Sequence, residues 1–176
     1  MTTVINLYGG PGSGKSTLAA GLFYQLKMNE INAELVREYV KMWAWENRLP
    51  NKYDQIYLTG KQAKYEYSLY GKVDYIVTDS PLYLCPFYEN KYYKTNIVRP
   101  SINEFMKSTH LDVNRKHYFV KRLKSYNPKG RFCSEEEAIK SDTEILNELK
   151  ELNIEFKIVT SLKDIINDLN LNIKEY

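Results

Sequence analysis

Residues 9–17 read GGPGSGKST, set between the short apolar run TTVINLY and a segment in which Leu18, Leu22 and Leu26 recur every four residues. Gly9 and the triplet Gly14-Lys15-Ser16 satisfy the spacing G-x-x-x-x-G-K-[ST]. Glycines in such a loop let successive backbone N–H groups turn inward around an anion, and the helix that follows adds its positive end. Gly9, Gly10, Pro11, Gly12, Ser13, Gly14, Lys15, Ser16 and Thr17 are therefore expected to cradle the phosphates of a nucleotide. Lys15 is expected to reach the β- and γ-phosphates, and the Ser16 hydroxyl to hold Mg²⁺. A chance glycine-rich turn would have to reproduce strand, loop and amphipathic helix in that order.

The rest of the chain follows the same alternation. Residues 2–8 read as a buried strand and Ser16 to Met28 as the first helix. A second strand is expected at 32–36, and helical segments at 39–47 and 55–70, separated by the breaker LPNKYD. YIVTDS (75–80) reads as a third strand closed by Pro81, and KHYFVK (116–121) as a fourth. Ser134 with Glu137 makes a capping box, behind which Ala138, Ile145, Leu149 and Leu152 place one apolar stripe on a long helix. EFKIVT (155–160) is the fifth strand, and Ser161 caps a last helix. Strands alternating with helices imply a parallel sheet covered on both faces. The expected architecture is one α/β domain over residues 1–176, a five-stranded parallel sheet flanked by helices, with a basic lid at about 121–134.

Composition narrows the setting. Hydrophobic residues make up 43% and charged residues 27%, which favours neither disorder nor a membrane span. No apolar run approaches the roughly 20 residues that a spanning helix needs. The N-terminus runs directly into a strand, so no targeting peptide is expected. Cys85 and Cys133 lie outside any CxxC pattern and read as reduced thiols of a cytoplasmic protein. The formal net charge of +3 does not by itself imply nucleic-acid binding.

A phosphate cradle serves motors, switches and kinases alike. NKYD (51–54) matches a guanine-reading pattern, but it follows Pro50 in a polar turn ahead of the third strand, and no D-x-x-G occurs in the chain. That tetrapeptide reads instead as a helix start with Asp54 as its cap. A motor would need more chain to couple its cycle to a partner, although a small regulatory ATPase stays open. A kinase must bring a second substrate to the terminal phosphate, exclude water and neutralise the moving group.

Three features fit the kinase. Asp79 ends the apolar run Tyr75-Ile76-Val77, where a carboxylate can hold Mg²⁺ opposite Ser16. Arg37 and Glu38 follow the second strand and so emerge at the carboxyl edge of the sheet, where ligands bind in open α/β folds. Glu38 could accept a proton from an acceptor hydroxyl and Arg37 could grip a phosphate or the acceptor, while Trp43 and Trp45 could wall a ring or else serve as core. Residues 113–134 hold seven Lys or Arg and no Asp or Glu. A basic loop there could bring Arg122 and Arg131 to the phosphates.

The segments GGPGSGKST, VREYVK, TDSP and YNPKGRFCSEEEAIKSD resemble a family of small P-loop kinases. That family includes the nicotinamide riboside kinase-like domain of bacterial NAD regulators and related phage-encoded proteins described as AAA-type ATPases or kinases. The resemblance spans about residues 2 to 160; its cradle is generic, and the REY and GRF-S-E-E-E-A segments are its specific part. It implies a P-loop NTPase fold with a five-stranded parallel sheet, ATP with Mg²⁺ as donor, a lid carrying Arg131, and Glu38 and Asp79 near the acceptor. It does not extend to the adenylyltransferase and DNA-binding regions of the larger regulators, so their acceptor is not carried over. Deoxynucleoside and thymidylate kinases, which also place an acid after the second strand, are more distant in appearance.

The expected activity is transfer of the γ-phosphate of ATP to a nucleoside- or nucleotide-like small molecule. Lys15 would hold the donor phosphates, Glu38 or Asp79 would orient or deprotonate the acceptor, Arg122 and Arg131 would stabilise the transition state, and Arg37, Glu38, Trp43 and Asp79 would face the acceptor. One alternative puts the acceptor on a nucleic acid, a modified base or an end in DNA, with the basic stretch 115–131 and the 16 tyrosines as its track. The other is a regulatory ATP-binding module without an acceptor.

Overall fold

The five strands of the sheet lie parallel, with the first of them at its centre. They are β1 Thr2–Tyr8, β2 Ala33–Val36, β3 Tyr75–Thr78, β4 Val113–Val120 and β5 Lys157–Val159, in the spatial order β2-β3-β1-β4-β5. The computed structural model describes residues 1–122 and 125–174; Leu123 and Lys124 of the expected lid lie outside the described residues. The helices are α1 Lys15–Met28, α2 Lys41–Trp45, α3 Asp54–Tyr67, α4 Leu84–Tyr93, α5 Arg99–Ser108, α6 Glu135–Glu151 and α7 Leu162–Asp168.

Strand alternation sorts the core into two faces. Ile5, Leu7, Val77, Tyr118, Val120 and Val159 pack with Leu18, Leu22 and Leu26 of α1 and Ile165 of α7. On the opposite face Tyr8 and Phe119 meet Leu84 and Phe87 of α4 and Ile145 and Leu149 of α6. Val4, Val36, Ile76 and Val113 complete that second layer, with Leu69 and Tyr70 just beyond α3. The three central strands are thus apolar on both sides, as a covered parallel sheet requires.

Register positions the site. Asn6 of β1 lies opposite Thr78 of β3 and His117 of β4, and Val36 of β2 lies opposite Thr78. All strands therefore end at one edge, and Gly9, Arg37, Asp79 and Lys121 all leave the sheet there. The capping boxes of Ser134 with Glu137 and of Ser161 with Asp164 open α6 and α7.

Several boundaries depart from the sequence expectation. The helix expected at 39–47 is one short helix, α2, whose buried side chain is Trp43. Asp54 is the first residue of α3 and not its cap. Asn51 does the capping, its side-chain oxygen accepting from the amides of Tyr53 and Asp54 at 2.9 and 3.1 Å. Residues 81–110, to which the sequence assigned no element, form α4 and α5. Pro86 sits in the first turn of α4, where a missing N–H costs no intrahelical bond. β4 starts three residues early because Val113 and Asn114 pair with Thr2 and Thr3. Among the described residues no helix is long and apolar enough to cross a membrane.

Candidate active site

The loop between β1 and α1 is shaped by glycine at positions that other residues could not occupy. Gly9, Gly12 and Gly14 have φ of 140°, 76° and 112°, values L side chains rarely adopt. A β-carbon at Gly9 would stand 2.7 Å from Ser13 Oγ. The Ser13 hydroxyl itself is buried with no hydrogen-bond partner inside this loop. An orphaned buried hydroxyl in a ring of backbone amides fits a loop built to receive an anion.

Lys15 lies across the mouth of the loop. Its Nζ donates to the carbonyls of Gly9 and Gly10 at 2.7 and 3.0 Å. Burial lowers its pKa from the usual lysine value, an effect opposed by Glu38, Asp79 and Asp142. Glu38 mirrors it: burial raises the carboxyl above the usual range, while Lys15 pulls it back. The two groups are thus desolvated together beside the cradle.

Asp79 is buried just past the end of β3, at 5% exposure, and its Oδ1 accepts the backbone N–H of Glu38 at 3.0 Å. The carboxylate therefore fixes the chain where Glu38 leaves β2. Ser16 and Asp79 are the residues the sequence leads one to expect for Mg²⁺. Among the described residues no group of three or more His, Cys, Asp or Glu could hold a metal alone. A hydroxyl and one carboxylate fit an ion that takes most of its oxygens from nucleotide phosphates and water.

A second brace comes from α6. The Gly10 amide donates to Asp142 Oδ1 at 2.6 Å, and Arg122 Nε and Nη2 donate to Asp142 Oδ2 at 3.0 and 2.7 Å. Arg122 Nη1 also donates to the Pro11 carbonyl at 3.1 Å. Arg122, expected at the phosphates, thus holds a carbonyl of the loop and an aspartate, and it does not line the cavity beside the cradle.

The segment after β4 folds back over this edge. The Tyr126 ring covers Gly12, whose built β-carbon would lie 2.9 Å from Tyr126 Cδ2. The Arg131 guanidinium lies over that ring, 5.6 Å from its centroid, and Arg131 Nε donates to the Asn127 carbonyl at 2.8 Å.

A cavity of about 540 Å³ opens between these parts. Lys15, Ser16 and Thr17 of the cradle line it together with Glu38, Arg131, Gln55, Gln62 and Tyr88. The size is that of a small-molecule site. Glu38 and Arg131 thus face the same space as the cradle, on one edge of the sheet.

Other expected residues fall elsewhere. Trp43 does not line the cavity; it is 6% exposed, stacks on Tyr57 at 6.4 Å and carries the Arg48 guanidinium 3.5 Å over its ring. Tyr39, packed edge-on against Trp43, lines the cavity in its place. Arg37 is exposed and outside the cavity lining. The basic stretch does not form one track. Arg115 is held by Glu66 and Tyr70, Arg122 by Asp142, and Arg131 faces the cavity. Cys85 and Cys133 are free thiols, and burial pushes Cys85 up to about 12.

Four residues escaped the sequence reading. Asp142 lies mid-helix, 132 positions from Gly10. Gln55 and Gln62 sit on α3, and Gln62, 2% exposed, has an amide nitrogen without a partner. Tyr88 was one tyrosine in a tyrosine-rich stretch. A buried face on α3 carrying amides rather than aliphatics is the signal that could have found the glutamines.

Solved structures share this fold. A deoxyadenosine kinase from M. mycoides with bound dATP is 18% identical, with a TM-score of 0.56 over 95% of this chain and 99% of its own. The same enzyme with the products dCMP and a flexible dCDP bound gives 17% identity and a TM-score of 0.58, covering 95% and 98%. The structure of APE1195 is 19% identical, with a TM-score of 0.52 over 96% and 92%. No curated protein matches the chain. These likenesses speak for the P-loop kinase-like fold alone and do not single out the nicotinamide riboside kinase-like family that the sequence segments resemble. A family model described as AAA domain matches residues 4–164, and with its phosphate loop at the carboxyl edge of a five-stranded parallel sheet the chain belongs to that family.

Proposed function

We propose that the chain is an ATP-dependent phosphotransferase that passes the γ-phosphoryl group to a hydroxyl of a nucleoside- or nucleotide-like acceptor, nicotinamide riboside being one to test. The observation that carries this reading is the shared cavity, in which the cradle's Lys15 and Ser16, the carboxyl of Glu38 and the guanidinium of Arg131 line the same space as an amide and aromatic pocket. A pure ATPase needs water there; a ring-sized chamber with buried Gln62 suits a second organic substrate.

Bound ATP supplies the transferable phosphoryl group, and Mg²⁺ held by Ser16 and Asp79 would offset its charge. Lys15 gives up the Gly9 and Gly10 carbonyls to grip the β- and γ-phosphates. Glu38 takes the proton of the acceptor hydroxyl as the new O–P bond forms and the bond to the β,γ-bridging oxygen breaks, releasing ADP. Burial makes Glu38 a stronger base than an exposed glutamate. Arg131 balances the charge on the moving group. Arg122 with Asp142 keeps the loop in shape. Gln55, Gln62 and the tyrosines hold the acceptor ring.

The test is incubation with ATP, Mg²⁺ and a panel of nucleosides, nucleotides and nicotinamide riboside, with product mass read directly. Phosphorylated acceptor and ADP in equal amounts is the expected result. Slow ADP formation indifferent to every acceptor contradicts the reading.

A further inference from the structure

Trp45 is 59% exposed, on a helix of only five residues whose other tryptophan, Trp43, is buried. One edge of the Trp45 ring is nevertheless in tight contact. A β-carbon built on Gly130 would lie 2.7 Å from both Cε2 and Cζ2 of Trp45 and 3.2 Å from Cη2. Gly130 has φ of 68° and directly precedes Arg131. The position therefore demands glycine twice, once for its backbone and once because the indole fills the place of a side chain.

The contact joins two parts of the cavity. Lys41 and Ala44 of α2 line the cavity, Trp43 anchors α2 through Tyr39 and Tyr57, and Trp45 reaches the segment that carries Arg131. Elsewhere in that segment Tyr126 covers Gly12, and Arg131 Nε donates to the Asn127 carbonyl. Arg131 is thus suspended between the phosphate loop and α2.

We propose that Trp45 is a positioning residue, a post on the acceptor side of the cavity against which Gly130 seats so that Arg131 faces the phosphate loop. It touches neither substrate; it acts through the backbone of the lid. The proposal rests on the phosphotransfer reading for its kinetic consequence, but the contact itself can be tested without turnover. Phosphoryl transfer is sensitive to the placement of the charge-balancing group, and an error of about 1 Å can cost on the order of 10²-fold. ATP binding, by contrast, depends on the loop and Lys15.

The experiment compares the wild-type chain with Trp45→Ala and Trp45→Phe. Limited trypsin digestion reads cleavage after Lys129 and Arg131, which needs neither ligand nor activity. Trp45→Ala is expected to speed cleavage there several-fold with thermal unfolding nearly unchanged, and Trp45→Phe to restore protection. With a productive acceptor, Trp45→Ala is expected to lower kcat by about 10- to 100-fold while KM for ATP moves less than about threefold, and Phe to recover most of the loss. Equal digestion rates in all three proteins overturn the proposal. So does a kcat loss that Phe does not rescue, or one matched by an equal rise in KM for ATP. If the wild type transfers to no acceptor, the phosphotransfer reading fails and digestion alone decides the contact.

Discussion

The backbone N–H of Glu38 donates to Asp79 Oδ1 at 3.0 Å, so the acid that follows β3 fixes the point at which the acid that follows β2 enters the site. The bond divides labour between two carboxylates that residue type alone leaves equivalent. Asp79 holds the backbone and Glu38 lines the cavity. Asp79→Ala should therefore damage the site twice, by releasing Glu38 and by removing the carboxylate proposed to hold Mg²⁺. Glu38→Gln should leave the fold intact and lower transfer by roughly 10²- to 10⁴-fold. Steady-state kinetics beside circular dichroism checks both, and a fully active Glu38→Gln protein would remove Glu38 from the role of base.

The pH profile has a direction. Burial raises the Glu38 carboxyl, and Lys15 and Arg131 each lower it. The acid limb of kcat/KM should accordingly lie above the usual glutamate range near 4.3, because transfer needs the deprotonated base. Arg131→Ala removes one of the opposing cations and should move that limb to higher pH while also lowering the rate. An acid limb that stays in place in the variant would mean that Arg131 does not share the site with Glu38.

Removing the α6 brace should show in the donor, not the acceptor. Asp142→Ala frees Arg122 and leaves the Gly10 amide without its acceptor. An abandoned buried donor costs about 1–3 kcal/mol, so the melting temperature should fall and KM for ATP should rise, with KM for the acceptor little changed. Titration with a fluorescent ATP analogue and thermal unfolding give the two values.

His117 makes a stability prediction away from the chemistry. Its Nδ1 pairs with the Tyr8 hydroxyl at 3.0 Å, and burial, aided by Arg115, lowers its pKa to about 4. The unfolded chain takes up this proton near pH 6.5, the folded chain only near 4. The neutral ring's contribution is therefore complete above about pH 6.5 and lost progressively as pH falls toward about 4. His117→Asn should flatten this part of the melting temperature against pH curve.

How far the sequence could be read depended on the range of the interaction. Lys15 and Ser16 belong to a contiguous motif, and Glu38 and Arg131 stand near the ends of elements whose order was visible, so their meeting at one sheet edge follows from a parallel topology. The five strands followed from periodicity, but α4 and α5 were hidden by Pro86 and by tyrosines that suit core, helix and pocket alike. Asp142 and Gln62 could not be found locally. Each matters because of a partner or a space contributed by a distant part of the chain, and in sequence each is an ordinary helical polar residue. Trp43 and Trp45 were read together as wall or core, and the fold separates them, one into an aromatic stack and the other onto the lid.

The convergence of Glu38 and Arg131 on the phosphate loop can be seen most directly in a crystal structure with Mg²⁺, a non-hydrolysable ATP analogue and an acceptor. The terminal phosphate is predicted to sit within hydrogen-bond reach, about 2.7–3.2 Å, of Lys15 Nζ and the Arg131 guanidinium, with the acceptor hydroxyl at the Glu38 carboxyl. A terminal phosphate bound by the loop but remote from both Glu38 and Arg131 would contradict the account.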